Sequence, residues 1–279
     1  MRQYVKSFGV ISMAIKLFVT DLDGTLLPSG VEVSERNARA VRDMVEAGVI
    51  FTLATGRMHR AAVKIAEPLK VDVPLITYNG ALIKTSAGEV IHEDCLPEEL
   101  TLALIEYSRA RGWHIQTYAG DRLRFAELNR YAEGYMSAVK VEGEAVGWDG
   151  LKNFAAGSYK VLLVTDGDEQ SKAGIVELEK NFGDRIDAVQ SNPQYVEITS
   201  KGVSKASALR LMAARYNIPI EETLAIGDSG NDLPMLRAAG VSVAMGNASD
   251  AVKAACDHVT GLCVDDGFAD AVYKFVLNN

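Results

Sequence analysis

Two stretches of this chain keep one rhythm, and that rhythm leaves few folds open. Residues 15–20 form a short, mostly apolar, β-rich run, followed by a loop at 21–30 marked by Gly24, Pro28 and Gly30. Ser34 is placed to cap a helix, with Ala38, Val41, Met44 and Val45 at helical spacing and Gly48 as its stop. A second apolar run at 49–53 ends in Thr55-Gly56-Arg57, a helical stretch covers 58–69, and a third strand is expected at 74–78. From Ser204 the rhythm returns: a capped helix to about Tyr216, then a strand at 223–226 ending in Gly227-Asp228. A helix near 231–239, a strand at 241–244, a helix from Ser249 and a last helix near 266–277 complete it. Strands that are apolar throughout, alternating with helices, predict an α/β fold: a doubly wound parallel sheet covered on both faces.

The middle of the chain breaks the pattern. A hairpin is expected at 81–95, a helix at 97–111, a second hairpin at 113–125 and a helix near 127–139. A strand at 158–165, a helix at 168–181 and strands at 186–190 and 195–199 follow. Hairpins mixed with helices predict a separate α+β module inserted at 82–190, between core pieces 13–81 and 191–279. The chain would cross near 79–82 and 191–194, where Gly80, Asn192 and Pro193 are turn residues. At about 150 residues per domain, 279 residues suit such a two-part protein. Residues 1–12 carry neither periodicity nor the apolar core of a secretory signal and read as an N-terminal extension.

Composition removes several partner classes. With 29 Lys and Arg against 37 Asp and Glu, and no basic tract, the chain is a poor nonspecific nucleic-acid binder. No apolar run approaches the ~20 residues that span a bilayer. Cys95, Cys256 and Cys263 are scattered and form neither a metal pattern nor a disulfide framework, which fits a reducing, cytoplasmic setting. No G-x-G and no Gly-Lys pair occurs, which removes the dinucleotide fingerprint and the Walker A loop. His59, His92, His114 and His258 lack metal-ligand spacing, and Trp113 and Trp148 fall in the expected insertion, where they pack or could contact substrate.

Chemistry concentrates at the strand ends. Asp21-Leu22-Asp23-Gly24-Thr25 places two carboxylates directly after a buried strand, at the carboxyl edge where open α/β sheets bind ligands. Close carboxylates repel and favour a bound cation, and Gly24 lets backbone N–H groups approach an anion. A plain surface turn is the alternative. An EF-hand loop from Asp21 to Glu32 is another, but it would put Leu26 where the turn needs Gly. Gly227-Asp228-Ser229-Gly230-Asn231-Asp232 also follows an apolar strand, so Asp228 is expected beside Asp21. Its alternatives are a helix cap or a serine nucleophile turn at Ser229, the latter without a matching His. Thr55 and Gly56 could bind a phosphoryl oxygen or merely start a helix. Lys205, at a helix start, opposes the helix dipole and calls for an anion, unless it is simply solvated.

In this order and spacing the four segments resemble the haloacid dehalogenase superfamily of phosphohydrolases, over roughly 13–80 and 191–279. Asp21 to Thr25 is similar to its first motif, Thr55-Gly56-Arg57 to its second, Lys205 to its third, and Gly227-Asp228 to Asp232 to its fourth. The insertion after Tyr78-Asn79-Gly80-Ala81 resembles the type II (C2) cap of the Cof-type branch of sugar-phosphate phosphatases. The resemblance implies Asp21 as nucleophile and Asp23 as acid and base. It implies Mg²⁺ held by Asp21, the Asp23 backbone carbonyl and Asp228, with Thr55, Gly56 and Lys205 on the phosphoryl oxygens. Asn231 and Asp232 would support Lys205 and the metal, and Arg57 and Asn79 could touch substrate. The expected partner is a small phosphorylated metabolite; a monomer and a dimer fit equally. A phosphosugar mutase and a non-catalytic phosphometabolite-binding protein are the other readings of the same scaffold.

Overall fold

The computed structural model describes residues 14–28, 32–70 and 72–277. The expected extension 1–12 and Gly30 lie outside the described residues. The chain begins with β1 (Leu17–Thr20), α1 (Glu35–Glu46), β2 (Ile50–Ala54), α2 (His59–Ala66), β3 (Pro74–Thr77), β4 (Leu82–Thr85) and β5 (Val90–Glu93). It continues with α3 (Glu98–Arg111), β6 (His114–Ala119), β7 (Leu123–Phe125), α4 (Arg130–Val139), β8 (Gly143–Ala145) and α5 (Gly147–Lys152). Then come β9 (Ser158–Val164), α6 (Asp168–Phe182), β10 (Ile186–Asn192) and β11 (Tyr195–Ser200). It closes with α7 (Lys205–Arg215), β12 (Thr223–Gly227), α8 (Leu233–Ala238), β13 (Val241–Ala244), α9 (Asp250–Ala254), β14 (His258–Val259) and α10 (Gly267–Phe275).

Among the described residues these strands form two sheets. The core sheet runs β14-β13-β12-β1-β2-β3-β4-β5, and the second runs β10-β11-β9-β6-β7-β8. In the core sheet β1 pairs in parallel with β2 on one side and β12 on the other. The chain winds outward from β1 in one direction and returns on its other flank, so a crevice opens at the carboxyl ends of β1 and β12. Both faces are packed. Phe18 joins Phe51 and Phe268 on one face, with its ring edge-on to Phe268 at 5.6 Å. Leu17 and Val19 join Leu209 and Met212 of α7 on the other. Double-sided burial is why β1 shows no polar alternation. The expected caps form: Ser34 Oγ accepts from the Asn37 N–H, and Ser204 Oγ from that of Ser207, at 3.1 Å each.

The boundaries of the insertion differ from the expected 82–190. The hairpin expected within it, now β4 and β5, extends the core sheet: β4 pairs antiparallel with β3, Ile83 opposite Ile76. Ile83 is fully buried in the core, and that burial fixes the hairpin there. At the other end, β11 falls within the core piece expected from 191, yet it pairs with β9 and β10. Val196 and Ile198 pack into the second sheet's own core beside Val161 and Leu163. The crossings are therefore residues 94–97 and 201–204. Gly80 turns between two core strands, and Asn192-Pro193 turns between two strands of the second sheet. The two crossings run side by side, with Ser200 Oγ donating to the Cys95 carbonyl at 3.2 Å. Between the units, Tyr78 and Met58 of the core pack with Tyr118, Phe125 and Leu162 of the second sheet.

Candidate active site

The crevice is built from four short loops. The backbone N–H of Asp21 donates to the carbonyl of Ile226 in β12 at 3.0 Å, so Asp21 stands beside the residue that ends β12. The turn after it needs Gly24: φ is +80°, and a Cβ there would lie 2.4 Å from Asp228 Oδ2. That close approach brings the Thr25 hydroxyl to Asp228 Oδ1 at 3.2 Å. Asn247 Nδ2 donates to the Gly24 carbonyl at 2.9 Å and to Asp228 Oδ2 at 3.4 Å.

Lys205 is the first residue of α7, and its side chain is 2% exposed. Its Nζ donates to Asp21 Oδ1 at 2.5 Å and to Asp232 Oδ1 at 2.6 Å. These are the anions its place at a helix start called for. The other Asp232 oxygen accepts the N–H groups of Asp228 and Ser229 at 3.1 Å each. Asp232 thus ties the lysine to the loop that carries Asp228. Asn231 accepts the Ser229 hydroxyl and lines the crevice, with no hydrogen bond to Lys205 among the described residues. Lys201 points away and pairs with Asp187 at 2.8 Å.

Asp23 is half exposed, and Arg57 grips it with both arms of its guanidinium, Nε to Oδ2 at 2.8 Å and Nη2 to Oδ1 at 2.5 Å. Thr55 is buried, and its Oγ1 accepts the Arg57 N–H at 3.1 Å. Gly56 offers its carbonyl to Lys160 Nζ at 2.7 Å. Asn79, buried with φ +58°, sits behind Gly56 and lines a neighbouring cavity on the far side of Lys205. Among the described residues its side-chain oxygen and nitrogen have no hydrogen-bond partner. The structure therefore brings Asp21, Asp23, Thr55, Gly56, Arg57, Asp228 and Asn231 to one cavity of about 360 Å³. Lys205 and Asp232 sit directly beneath it, and Asn79 lies outside it.

Negative charge exceeds positive charge at the base of this cavity. Asp21, Asp228 and Asp232 each bring an oxygen within 4.8 Å of the others. Burial lifts the Asp21 carboxyl well above the usual carboxylate range; Asp232 adds to the shift and Lys205 opposes it. Burial, then the Asp232 charge, raises Asp228 to about 6. Burial alone would lower the Lys205 pKa, but Asp21 and Asp232 overcome it and raise the value. The lysine stays charged while the carboxylates compete for a second positive charge. A hard divalent cation fits that deficit. Asp21 and Asp228 line the cavity and can offer it oxygens, whereas Asp232 does not line it and is taken up by Lys205 and the Asp228 loop.

Residues 18–272 match the family model for haloacid dehalogenase-like hydrolases. The chain belongs to that family. Phosphatase YwpJ of Bacillus subtilis is 30% identical over 271 residues, covering 88% of this chain and 94% of the relative. A second B. subtilis protein, the 5-amino-6-(5-phospho-D-ribitylamino)uracil phosphatase YcsE, is 29% identical, covering 94% of this chain and 96% of its own. The solved HAD subclass IIB sugar phosphatase BT4131 superposes with a TM-score of 0.82 at 25% identity, over 93% of this chain and 98% of that one. This haloacid dehalogenase-like hydrolase is thus an enzyme of the phosphatase kind, with the family's Rossmann-like core and a cap of the Cof-type branch.

Among the cavity residues of this hydrolase that escaped the motif reading are Lys160, Glu197, Tyr195 and Ser191 of the second sheet and Tyr135 of α4. Lys160 is 1% exposed and pairs with Glu197, which also accepts the Ser191 hydroxyl at 3.0 Å. The signal was a charged residue at an inward position of an otherwise apolar strand, as in Ser158-Tyr159-Lys160-Val161 and Tyr195-Val196-Glu197-Ile198. Buried charges at such positions come in pairs, and finding one is a reason to look for the other.

Proposed function

We propose that the chain is a Mg²⁺-dependent phosphomonoester hydrolase that acts on small phosphorylated metabolites, sugar phosphates foremost, through an aspartyl-phosphate. One observation carries this reading: Asp21 lies at the floor of the cavity, held by Lys205 and faced by Asp228, with Asp23 at the rim. The carboxylate oxygen of Asp21 would attack phosphorus, and the ester would be split in two easier displacements. Asp23, oriented by the Arg57 fork and open to the cavity, would give its proton to the leaving oxygen and later take one from water. Lys205 holds Asp21 in line and, with Thr55 and the Gly56 loop, would bind the phosphoryl oxygens as charge builds on them. Mg²⁺, on Asp21, Asp228 and the Asp23 carbonyl, would offset the repulsion between carboxylate and phosphate. Asp232 positions Lys205 and the Asp228 loop.

The second sheet would act as the cap that closes the cavity and selects the leaving group, through Lys160, Ser191, Tyr195 and Glu197. The relatives' own names support small phosphorylated substrates. Free thiols at all three cysteines support a cytoplasmic setting. No helix among the described residues is long and apolar enough to cross a membrane. The decisive experiment is orthophosphate release from a panel of phosphorylated metabolites, with and without Mg²⁺. Release from several sugar phosphates is expected. Exchange of phosphate between positions of a sugar, with no orthophosphate released, would instead make the chain a mutase.

A further inference from the structure

A second cavity, of about 350 Å³, opens beside the first, and Arg57 and Val139 line both. Its walls come from the two units of the molecule. Helix α2 of the core presents Arg60 and Lys64 one turn apart on one face. The end of α4 in the second unit presents Lys140 and, beyond it, Glu142. Arg60 bridges them, its Nη2 donating to the Glu142 carbonyl at 2.8 Å. Among the described residues, Arg60, Lys64 and Lys140 form no ion pair with a carboxylate. Glu142 is the one acid among the lining residues.

Three unpaired cations around one concavity repel each other, on a chain whose net charge is −8. An anion relieves that repulsion. Because the two cavities share Arg57 and Val139 in their walls, the anion and the reacting phosphate can belong to one molecule. Ile65 and Val141 supply apolar wall between the charges, suited to a carbon chain. We infer that this cavity is a leaving-group subsite for a second anion. The substrates are then phosphomonoesters whose alcohol carries a carboxylate or a further phosphate at its far end. This rests on the hydrolase reading above and narrows it.

The test compares matched pairs on the full chain with Mg²⁺: glucose 6-phosphate against 6-phosphogluconate, and fructose 6-phosphate against fructose 1,6-bisphosphate. The first pair adds a carboxylate and the second a phosphate, so the pair that discriminates identifies the anion. In at least one pair, kcat/KM favours the member with the second anion by about tenfold or more, mainly through KM. Combining Arg60→Ala with Lys64→Ala brings that ratio close to one, and Lys140→Ala, from the opposite wall, lowers it. The readout is a ratio within one enzyme preparation, so a general loss of activity does not mimic the effect. Equal turnover within both pairs, or a ratio that survives the double substitution, overturns the subsite alone. No phosphate from any of the four, nor from p-nitrophenyl phosphate, overturns the hydrolase reading and the subsite with it.

Discussion

Among the described residues two lysines are buried against carboxylates, one in each unit, and the two clusters differ in charge balance. Lys160 faces Glu197 and the Gly56 carbonyl, a neutral set with its hydrogen bonds made. Lys205 faces Asp21 and Asp232, with Asp228 close behind, so three carboxylates share one ammonium. A balanced buried pair holds parts together and asks for nothing more. An unbalanced cluster keeps an affinity for positive charge, and the fold tolerates it only where a ligand will complete it. The Lys160 pair reaches across from the second sheet to the loop after β2. The complete cluster therefore steadies the wall of the incomplete one.

The sharpest way to break this contrast is at Asp21, the proposed nucleophile. Asp21→Asn keeps the shape and removes the attacking charge, so kcat should fall by about three orders of magnitude or more. Thermal melting should show a fold that is kept or even stabilised, because one of three crowded charges is gone. Retention of a tenth of wild-type kcat would falsify covalent catalysis at Asp21.

Metal removal acts on the same imbalance from outside. Chelation with EDTA should lower phosphate release by about a hundredfold or more, and Mg²⁺ should restore it. Ca²⁺ should compete without restoring activity, since its looser coordination misplaces the attacking oxygen. Full turnover in chelator would mean that the carboxylate excess is not a metal site.

The balanced pair predicts a stability effect. Lys160→Met leaves Glu197 buried without its partner and should cost about 3–5 kcal/mol in denaturant unfolding. Adding Glu197→Leu should recover much of that loss. A single-mutant cost below about 1 kcal/mol, the level of a surface pair, would erase the distinction between the two clusters.

The smallest effect is a pH slope. Burial raises Asp228 from 3.8 to about 6, so the folded chain holds a proton that the unfolded chain has released. The stability linked to this group therefore falls as pH rises through 3.8 to about 6 and stays lost above it. Asp21 shifts in the same direction. Melting of the chelated protein should drop by a few degrees across that window, and Asp228→Asn should flatten the slope. Mg²⁺ should raise the melting temperature more at neutral pH than at the acid end. A slope unchanged in Asp228→Asn would assign it to other groups.

Local chemistry made most of the core legible. Ser34 and Ser204 cap where their spacing said they would, and the strand ends at Asp21 and Asp228 meet because their strands are neighbours. What stayed hidden depends on contacts distant in sequence. Nothing near residue 82 tells a hairpin whether to extend the sheet behind it or the module ahead; the pairing of Ile83 with Ile76 decides. The insertion's limits failed for that reason. The place of Asn79, whose left-handed backbone sets it behind Gly56, is likewise decided by contacts that the motif does not carry. Lys160 and Glu197 lie 37 positions apart and acquire meaning only when β9 and β11 pair.

The side-by-side crossings carry a consequence for engineering and for descent. Where Ser200 meets the Cys95 carbonyl, the second unit leaves and re-enters the core at nearly one point. The core therefore bridges the same short gap whatever lies between, and the closure entropy of that gap hardly depends on the length of the guest. A foreign module whose own ends meet could be spliced in at residues 94–97 and 201–204 while the core sheet keeps its register. New substrate ranges could be reached by exchanging the guest whole, with the Asp21–Lys205–Asp228 floor inherited intact.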